Sequence, residues 1–202
     1  MNRLEQLDMT IEEFCEIHDA CEEGRDWAIA NCKTMAECWE KLPPEFLVWT
    51  ATCPGVMSDK EQRMFAAFCC REVWYLLADQ RSRNAVEVTE RFANGQASKE
   101  EMHVAYLAAV DASCAAARTA AYVAAYSTDA AARTAAYAAA YSTDAAARTT
   151  AHDAARTTAH EAAHAAAYAA TDSSYAAAYA AARQKQADWL RSNIIPPNFK
   201  KV

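Results

Sequence analysis

Glycine and proline are scarce in this sequence of 202 residues, which has 3 glycines and 5 prolines. The stretch from Gln96 to Ile195 contains neither residue. A β-sandwich or β-barrel needs a turn about every ten residues, and such turns depend on glycine, proline, asparagine and aspartate. The scarcity excludes an all-β fold and predicts an all-α protein. Hydrophobic residues make up 53% of the chain, which is enough to form a core.

Other absences bear on location and partners. No apolar run reaches the roughly 18 residues of a membrane span, and the first residues, MNRLEQLDMTIEEF, lack the apolar core of a signal peptide. The formal net charge of −7 argues against a general nucleic-acid-binding protein, which needs a basic face for the phosphate backbone. We therefore expect a cytoplasmic protein that binds neither membranes nor nucleic acid in general.

The eight cysteines have no metal-binding or redox spacing. No C-x-x-C pair is present, so neither a zinc ribbon nor a thioredoxin-like motif has the spacing that it requires. In a cytoplasmic protein thiols stay reduced, and free cysteine is among the most buried residue types. We predict free cysteines that pack in the core, and no cofactor.

Composition changes sharply after Gly95. Residues 1–97 carry a net charge of −8 and four of the five tryptophans, whereas residues 98–202 carry a net charge of +1. The sequence therefore predicts three regions. They are an N-terminal helical domain at 1–97, an alanine-rich repeat helical region at 98–195 and a tail at 196–202.

Short helices joined by tight turns are predicted in the first region. Thr10 and Glu13 have the spacing of a capping box, in which hydroxyl and carboxylate each accept a hydrogen bond from a free backbone N–H group. Ser58 and Ser82 are predicted to begin two further helices, and Gly24 to end an earlier one.

The second region contains a tandem repeat. Residues 115–129 (AAARTAAYVAAYSTD) recur almost unchanged at 130–144, and a third copy drifts after its first residues. Alanine is the strongest helix former, so this region is predicted to be helical, either as one long helix or as several packed by their alanine faces.

The large and charged side chains of this region follow each other by threes and fours, which places them on one winding face of the helix. We call this face the stripe; its residues are Arg118, Tyr122, Tyr126, Asp129, Arg133, Tyr137, Tyr141, Asp144, Arg148, His152, Arg156, His160, His164, Tyr168, Asp172, Tyr175, Tyr179 and Arg183. One interpretation is a solvated face stabilised by ion pairs four residues apart. The other is a recognition surface.

Arginine and tyrosine favour the recognition interpretation. Both are enriched at interface hot spots, and arginine beside aromatic rings suits ligands that combine a phosphate with a base. The predicted ligand-binding residues are Arg118, Tyr122, Tyr126, Arg133, Tyr137, Tyr141, Arg148 and Arg156. For a nucleotide ligand these arginines have to converge in a pocket, and we expect the chain to form a homo-oligomer.

One motif has the form of an enzyme signature. His160-Glu161-Ala162-Ala163-His164 matches H-E-x-x-H, which in zinc proteases places two imidazoles on one helix face beside a general base. The histidines fall on stripe positions that earlier repeats fill with tyrosine or arginine, and no third ligand follows at the usual spacing. We predict no catalytic residue and no metal site here; a metalloprotein is the minor alternative.

Several motifs together resemble a family of immunity proteins from bacteria and phages. They are Ala20-Cys21-x-x-Gly24-x-x-Trp27, Trp39 before a proline turn, Leu47-Val48-Trp49, Cys-Arg-x-x-Trp at 70–74, and Glu87-x-x-x-Arg91-Phe92-Ala93-x-Gly95 before an alanine-rich tail. The resemblance implies a non-enzymatic protein that binds and neutralises a protein effector or a defence component. The alternative is a phage-type sponge that sequesters an anionic nucleotide signal at sites lined by arginine and tyrosine.

Overall fold

The computed structural model of the chain describes residues 9–122, 151–170, 175–195 and 199, with side chains except at 113–122 and 151–154. The described residues form nine α-helices and no strand, which confirms the all-α prediction. The helices are α1 (Ile11–Ile17), α2 (Glu22–Asn31), α3 (Met35–Lys41), α4 (Pro44–Ala51), α5 (Asp59–Glu72), α6 (Gln80–Ala93), α7 (Lys99–Tyr122), α8 (Ala151–Tyr168) and α9 (Tyr175–Asn193). A short 3₁₀ helix, Trp74–Leu76, follows α5.

Local capping fixes where several helices begin. At α1 the Glu13 N–H donates to Thr10 Oγ1 at 3.2 Å, and the Thr10 N–H donates to a Glu13 carboxylate oxygen at 3.0 Å. This confirms the predicted capping box. Ser58 caps α5 in the same way, with Glu61 as its partner.

Two predicted helix limits are wrong. Gly24 lies within the first turn of α2 instead of ending a helix, and the preceding turn uses Asp19, which has a φ of 54°. Helix α6 begins three residues earlier than predicted, because Asp79 caps it by accepting a hydrogen bond from the Arg81 N–H at 2.8 Å. Ser82 therefore lies inside the helix, and its side chain is buried. Aspartate tolerates the left-handed conformation and is also a good N-cap, so it serves in both places.

The main core joins residues from both sides of the change in composition. Trp39, Leu47 and Phe65 from the first region are buried together with Leu190 of α9. Helix α8 packs along α5, and α9 packs on α8 and α4. Trp189 stacks on Phe68 with ring centroids 5.3 Å apart.

Alanines form the buried face of α8. Ala155, Ala159, Ala162 and Ala165 follow each other by four, three and three residues and belong to the main core. Because alanine has only a methyl side chain, it lets two helix backbones approach closely. These alanines therefore lie on the side of α8 that faces the core.

Helices α6 and α7 form a second cluster. Met102, Ala105 and Ala109 of α7 pack against Ala85 and Val88 of α6. The repeat itself extends from α7 through residues 123–150 into α8, so the question whether it forms one helix or several lies largely outside the described residues.

Most of the described cysteines pack as predicted. Cys15, Cys32, Cys38, Cys53, Cys69 and Cys70 are free and buried, whereas Cys21 is exposed. Burial raises the pKa of the Cys53 thiol to about 12, so this thiol stays protonated and packs as a small apolar group. In the described ranges, no helix combines the length and apolar character needed to cross a membrane.

Candidate ligand-binding site

The stripe residues of α8 and α9 face each other. His160 and His164 lie one turn apart on α8, and Tyr175 and Tyr179 lie one turn apart on α9. The His164 ring is centred 5.0 Å from the Tyr179 ring, and His164 Nδ1 contacts the Tyr175 hydroxyl. The two helices therefore bring the later part of the stripe together into one polar and aromatic cluster.

Arg183 of α9 is the buried charge of this cluster. It is 7% exposed, and its Nε donates to the Tyr179 hydroxyl at 3.1 Å. Its Nη1 donates to Gln186 Oε1 at 3.0 Å, and the amide nitrogen of Gln186 donates to the Ala159 carbonyl at 2.8 Å. The second bond ties α9 to α8 and turns the oxygen of Gln186 towards the guanidinium.

The negative partner of Arg183 lies at a long hydrogen-bond distance and is partly exposed to solvent. Arg183 Nη2 lies 3.4 Å from Glu45 Oε1, and the Glu45 side chain is 55% exposed. Tyr179 also donates to Glu45 Oε1, again at 3.4 Å. A buried charge is costly unless it is paired and fully hydrogen-bonded. Glu45 thus neutralises Arg183 only in part.

The two histidines form a directed hydrogen-bond chain. Arg183 Nη2 lies 3.4 Å from His160 Nδ1, and His160 Nε2 lies 3.1 Å from His164 Nε2. Because a guanidinium is only a donor, we assign His160 Nδ1 as the acceptor, so that its Nε2–H donates to His164 and the His164 Nδ1–H donates to Tyr175. This assignment makes both rings neutral.

Burial lowers the pKa of His160; repulsion from His164 in its protonated form and from Arg183 adds to the effect, while Glu45 opposes it. A metal ion bound between the two histidines would need the Nε2 lone pair of each ring. His160 would then carry its proton on Nδ1, where it would face the N–H donors of Arg183. Among the described residues no group of three or more histidine, cysteine or acidic side chains is placed to hold a metal. The H-E-x-x-H segment therefore fits the neutral chain better than a metal site.

A cavity of about 400 Å³ opens beside this cluster. Its lining residues come from α4, α8, α9 and the residue before α2: Cys21, Glu45, Phe46, Val48, Trp49, Arg156, Thr157, His160 and Arg183. We call it the anion cavity, because Arg156 and Arg183 both line it. Its walls combine fixed positive charge with the aromatic rings of Phe46 and Trp49.

Of the predicted ligand-binding residues, Arg156 lines the anion cavity. Arg118 and Tyr122 lie on α7, where only the backbone is described. The other five lie outside the described residues: Tyr126, Arg133, Tyr137, Tyr141 and Arg148.

The residues that complete this cavity were not among those predicted to bind a ligand. Arg183 and His160 belong to the stripe but were not among the predicted ligand-binding residues, although their spacing placed them on the same face. Glu45 and Trp49 come from the first region, and no local pattern in the sequence links them to the stripe.

Comparison with protein-family models, with curated proteins and with solved structures finds no match to this chain. The resemblance to immunity proteins stays a prediction. What the described residues define is an all-α protein with a buried arginine at the wall of a mixed aromatic and cationic cavity.

Proposed function

We propose that this protein is a non-enzymatic binding protein that sequesters a small phosphate-bearing organic anion, with nucleotides as the leading class. Arg156 and Arg183 supply positive charge in the anion cavity, and Trp49 and Phe46 supply apolar and stacking surface beside it. Arginine combines a planar fork of donors with a face that stacks on rings, which suits phosphate attached to a flat base.

The observation that carries the proposal is the burial of Arg183 at the cavity wall. Its guanidinium is almost removed from water, yet its carboxylate partner is 3.4 Å away and mostly solvated. An anion in the cavity would supply the negative charge that Glu45 provides only in part. No further charged side chain of the protein would have to be buried. Such charge-assisted bonds are stronger than bonds between neutral groups.

A binding role agrees with the state of His160. Both of its nitrogens are engaged, Nδ1 by Arg183 and Nε2 by His164. A general base needs a free nitrogen within reach of a substrate proton, so His160 serves to shape and polarise the cavity.

Calorimetric titration of the purified full chain with adenosine monophosphate and diphosphate tests this function. We expect saturable binding by the wild type and a loss of at least thirtyfold in Arg183→Gln, because removal of a buried partner of a charged bond costs about 2–5 kcal/mol. The matched control is Lys185→Gln, which removes one charge from α9 at a side chain that is exposed and pairs with Glu72. Equal affinities in wild type and Arg183→Gln, or no binding of either nucleotide, would refute the proposal.

A second candidate is the neutralisation of a protein effector. It is supported by exposed apolar side chains on α7, Val104 at 66% and Leu107 at 46% exposure, near the acidic residues Glu100 and Glu101. Apolar side chains bordered by acids suit a basic protein partner. In a pull-down with a candidate effector, Val104→Asp should abolish capture, whereas Arg183→Gln should leave it intact; the reverse pattern would eliminate this candidate.

A further inference from the structure

A second cavity, of about 200 Å³, lies behind the aromatic wall of the anion cavity. Its lining comes from α1 to α4 and the turn after α1, and it is mostly apolar: Ile11, Phe14, Cys15, Asp19, Ala20, Cys21, Gly24, Ala28, Met35, Cys38, Leu42, Phe46, Trp49 and Thr50. We call it the apolar cavity. Asp19, the charged residue among these lining residues, is exposed.

Two thiols of this lining, Cys15 and Cys38, are buried. Burial raises the pKa of Cys15 and that of Cys38, and the thiol of Cys32 beside Cys38 adds to the second effect. A protonated cysteine behaves as a small apolar side chain. Among the described lining residues, the charged side chain is thus that of the exposed Asp19.

The two cavities share a wall. Cys21, Phe46 and Trp49 line both of them, and the two aromatic residues are only partly buried. Gly24 of α2 lies directly behind this wall: a Cβ atom there would lie 3.3 Å from Cys21 Sγ and 3.4 Å from Phe46 Cδ1. Because glycine has no side chain, Cys21 and Phe46 can pack directly against the backbone at residue 24.

We propose that the two cavities hold one ligand, an amphipathic anion whose phosphate or carboxylate lies against Arg156 and Arg183 and whose aliphatic end lies in the apolar cavity. This inference rests on the proposed function and narrows the class of ligand, since a nucleotide without an apolar substituent fills only the first cavity. A benzene molecule fits an engineered cavity of about 150 Å³, so the apolar cavity suits a chain of about six to eight carbons. This arrangement requires the partly buried Phe46 ring of the shared wall to turn aside for the aliphatic end of the ligand.

The test compares two probes on the full chain by calorimetry, inorganic phosphate and octyl phosphate below its micelle concentration. We expect octyl phosphate to bind at least tenfold more tightly, because each buried CH₂ group adds about fourfold in affinity when it is fully removed from water. Ala28→Leu fills the apolar cavity from α2, where Ala28 is 5% exposed. Ala28→Leu should lower the affinity for octyl phosphate to that for inorganic phosphate, and it should leave the affinity for inorganic phosphate unchanged.

Ala30→Leu is the matched control, since it makes the same change at an exposed residue of the same helix. It should leave both affinities as in the wild type. If circular dichroism shows that Ala28→Leu is unfolded, Ala20→Leu replaces it, because Ala20 is only partly buried and lines the same cavity.

Two results overturn the inference while the proposed function stands: equal affinity of the two probes when both depend on Arg183, or tight octyl phosphate binding that Ala28→Leu and Ala20→Leu leave intact. The proposed function fails separately if neither adenosine nucleotide binds, or if the nucleotides bind wild type and Arg183→Gln with equal affinity.

Discussion

At the scale of single residues, Glu45 and Arg183 set the properties of the anion cavity. Glu45 is the second residue of α4, next to Pro44, and its carboxylate accepts two long bonds, from Arg183 and Tyr179. An exposed carboxylate held at 3.4 Å is a weak partner. Glu45 is thus a negative charge at Arg183 with which the proposed ligand anion would compete.

Glu45→Gln should therefore raise the affinity for a phosphate ligand several-fold, because it removes the competing negative charge and keeps the shape of the side chain. Calorimetry with adenosine monophosphate measures the change. The control is Glu72→Gln, which removes an acidic side chain that pairs with Lys185 outside the cavity. Weaker binding in Glu45→Gln would mean that Glu45 orients Arg183 instead of competing with the ligand.

His160 predicts how stability changes with pH. Its pKa in the folded protein lies below the ordinary value of 6.5, so the unfolded chain binds the extra proton more readily. The stabilising contribution of neutral His160 is thus complete above pH 6.5 and is lost as pH falls through 6.5 towards the lowered pKa. Burial is the largest cause of the lowered pKa; His164 and Arg183 add to it, and Glu45 opposes it.

Thermal unfolding at pH 7.5 and at pH 5.5 checks this prediction. The melting temperature of the wild type should fall more between the two pH values than that of His160→Gln, which has no titrating group at this position. An identical fall in both proteins would show that His160 does not contribute to the pH dependence.

At the scale of elements, the alanine face of α8 decides how closely this helix approaches α5. Ala162 is 2% exposed in the main core. Leucine would add three carbon atoms at this buried position, and overpacking of a well-packed core costs about 1–3 kcal/mol.

Ala162→Leu should lower the free energy of unfolding in urea by that amount. Ala177→Leu on α9, at an exposed alanine, should change it by less than about 0.5 kcal/mol. If the two variants are equally stable, the alanine face of α8 is not closely packed.

Local signals allowed some of these elements to be predicted. The Thr10 capping box depends on two residues three apart, so the sequence alone identifies it. Asp79 and Ser82 are both good N-caps, and only the burial of Ser82 in the folded core decides between them. The contact between Arg183 and Glu45 joins residues 138 positions apart, and no periodicity within either helix predicts it.

At the scale of the whole molecule, the acidic first region and the alanine-rich second region share one core. Leu190 and Ala187 of α9 are fully buried among residues of α3, α4 and α5. Arg191 also donates to the Leu42 carbonyl at 2.7 Å, which satisfies the C-terminal end of α3.

A chain ending at residue 97 should therefore lack a stable fold, because it loses the apolar side chains of α8 and α9 that cover its core. Urea unfolding monitored by circular dichroism should give no cooperative transition for this fragment, in contrast to the full chain. A sharp transition in the fragment would show that residues 1–97 are an independent domain.

The central claim is that Arg183 receives the ligand anion. The most direct measurement is a two-dimensional ¹⁵N–¹H spectrum of arginine Nε–Hε groups during titration with adenosine monophosphate, with the Arg183 signal assigned from Arg183→Lys. We predict that the Arg183 signal shifts and saturates at the same concentrations as the calorimetric binding curve. An Arg183 signal that stays in place while the nucleotide binds would contradict this account.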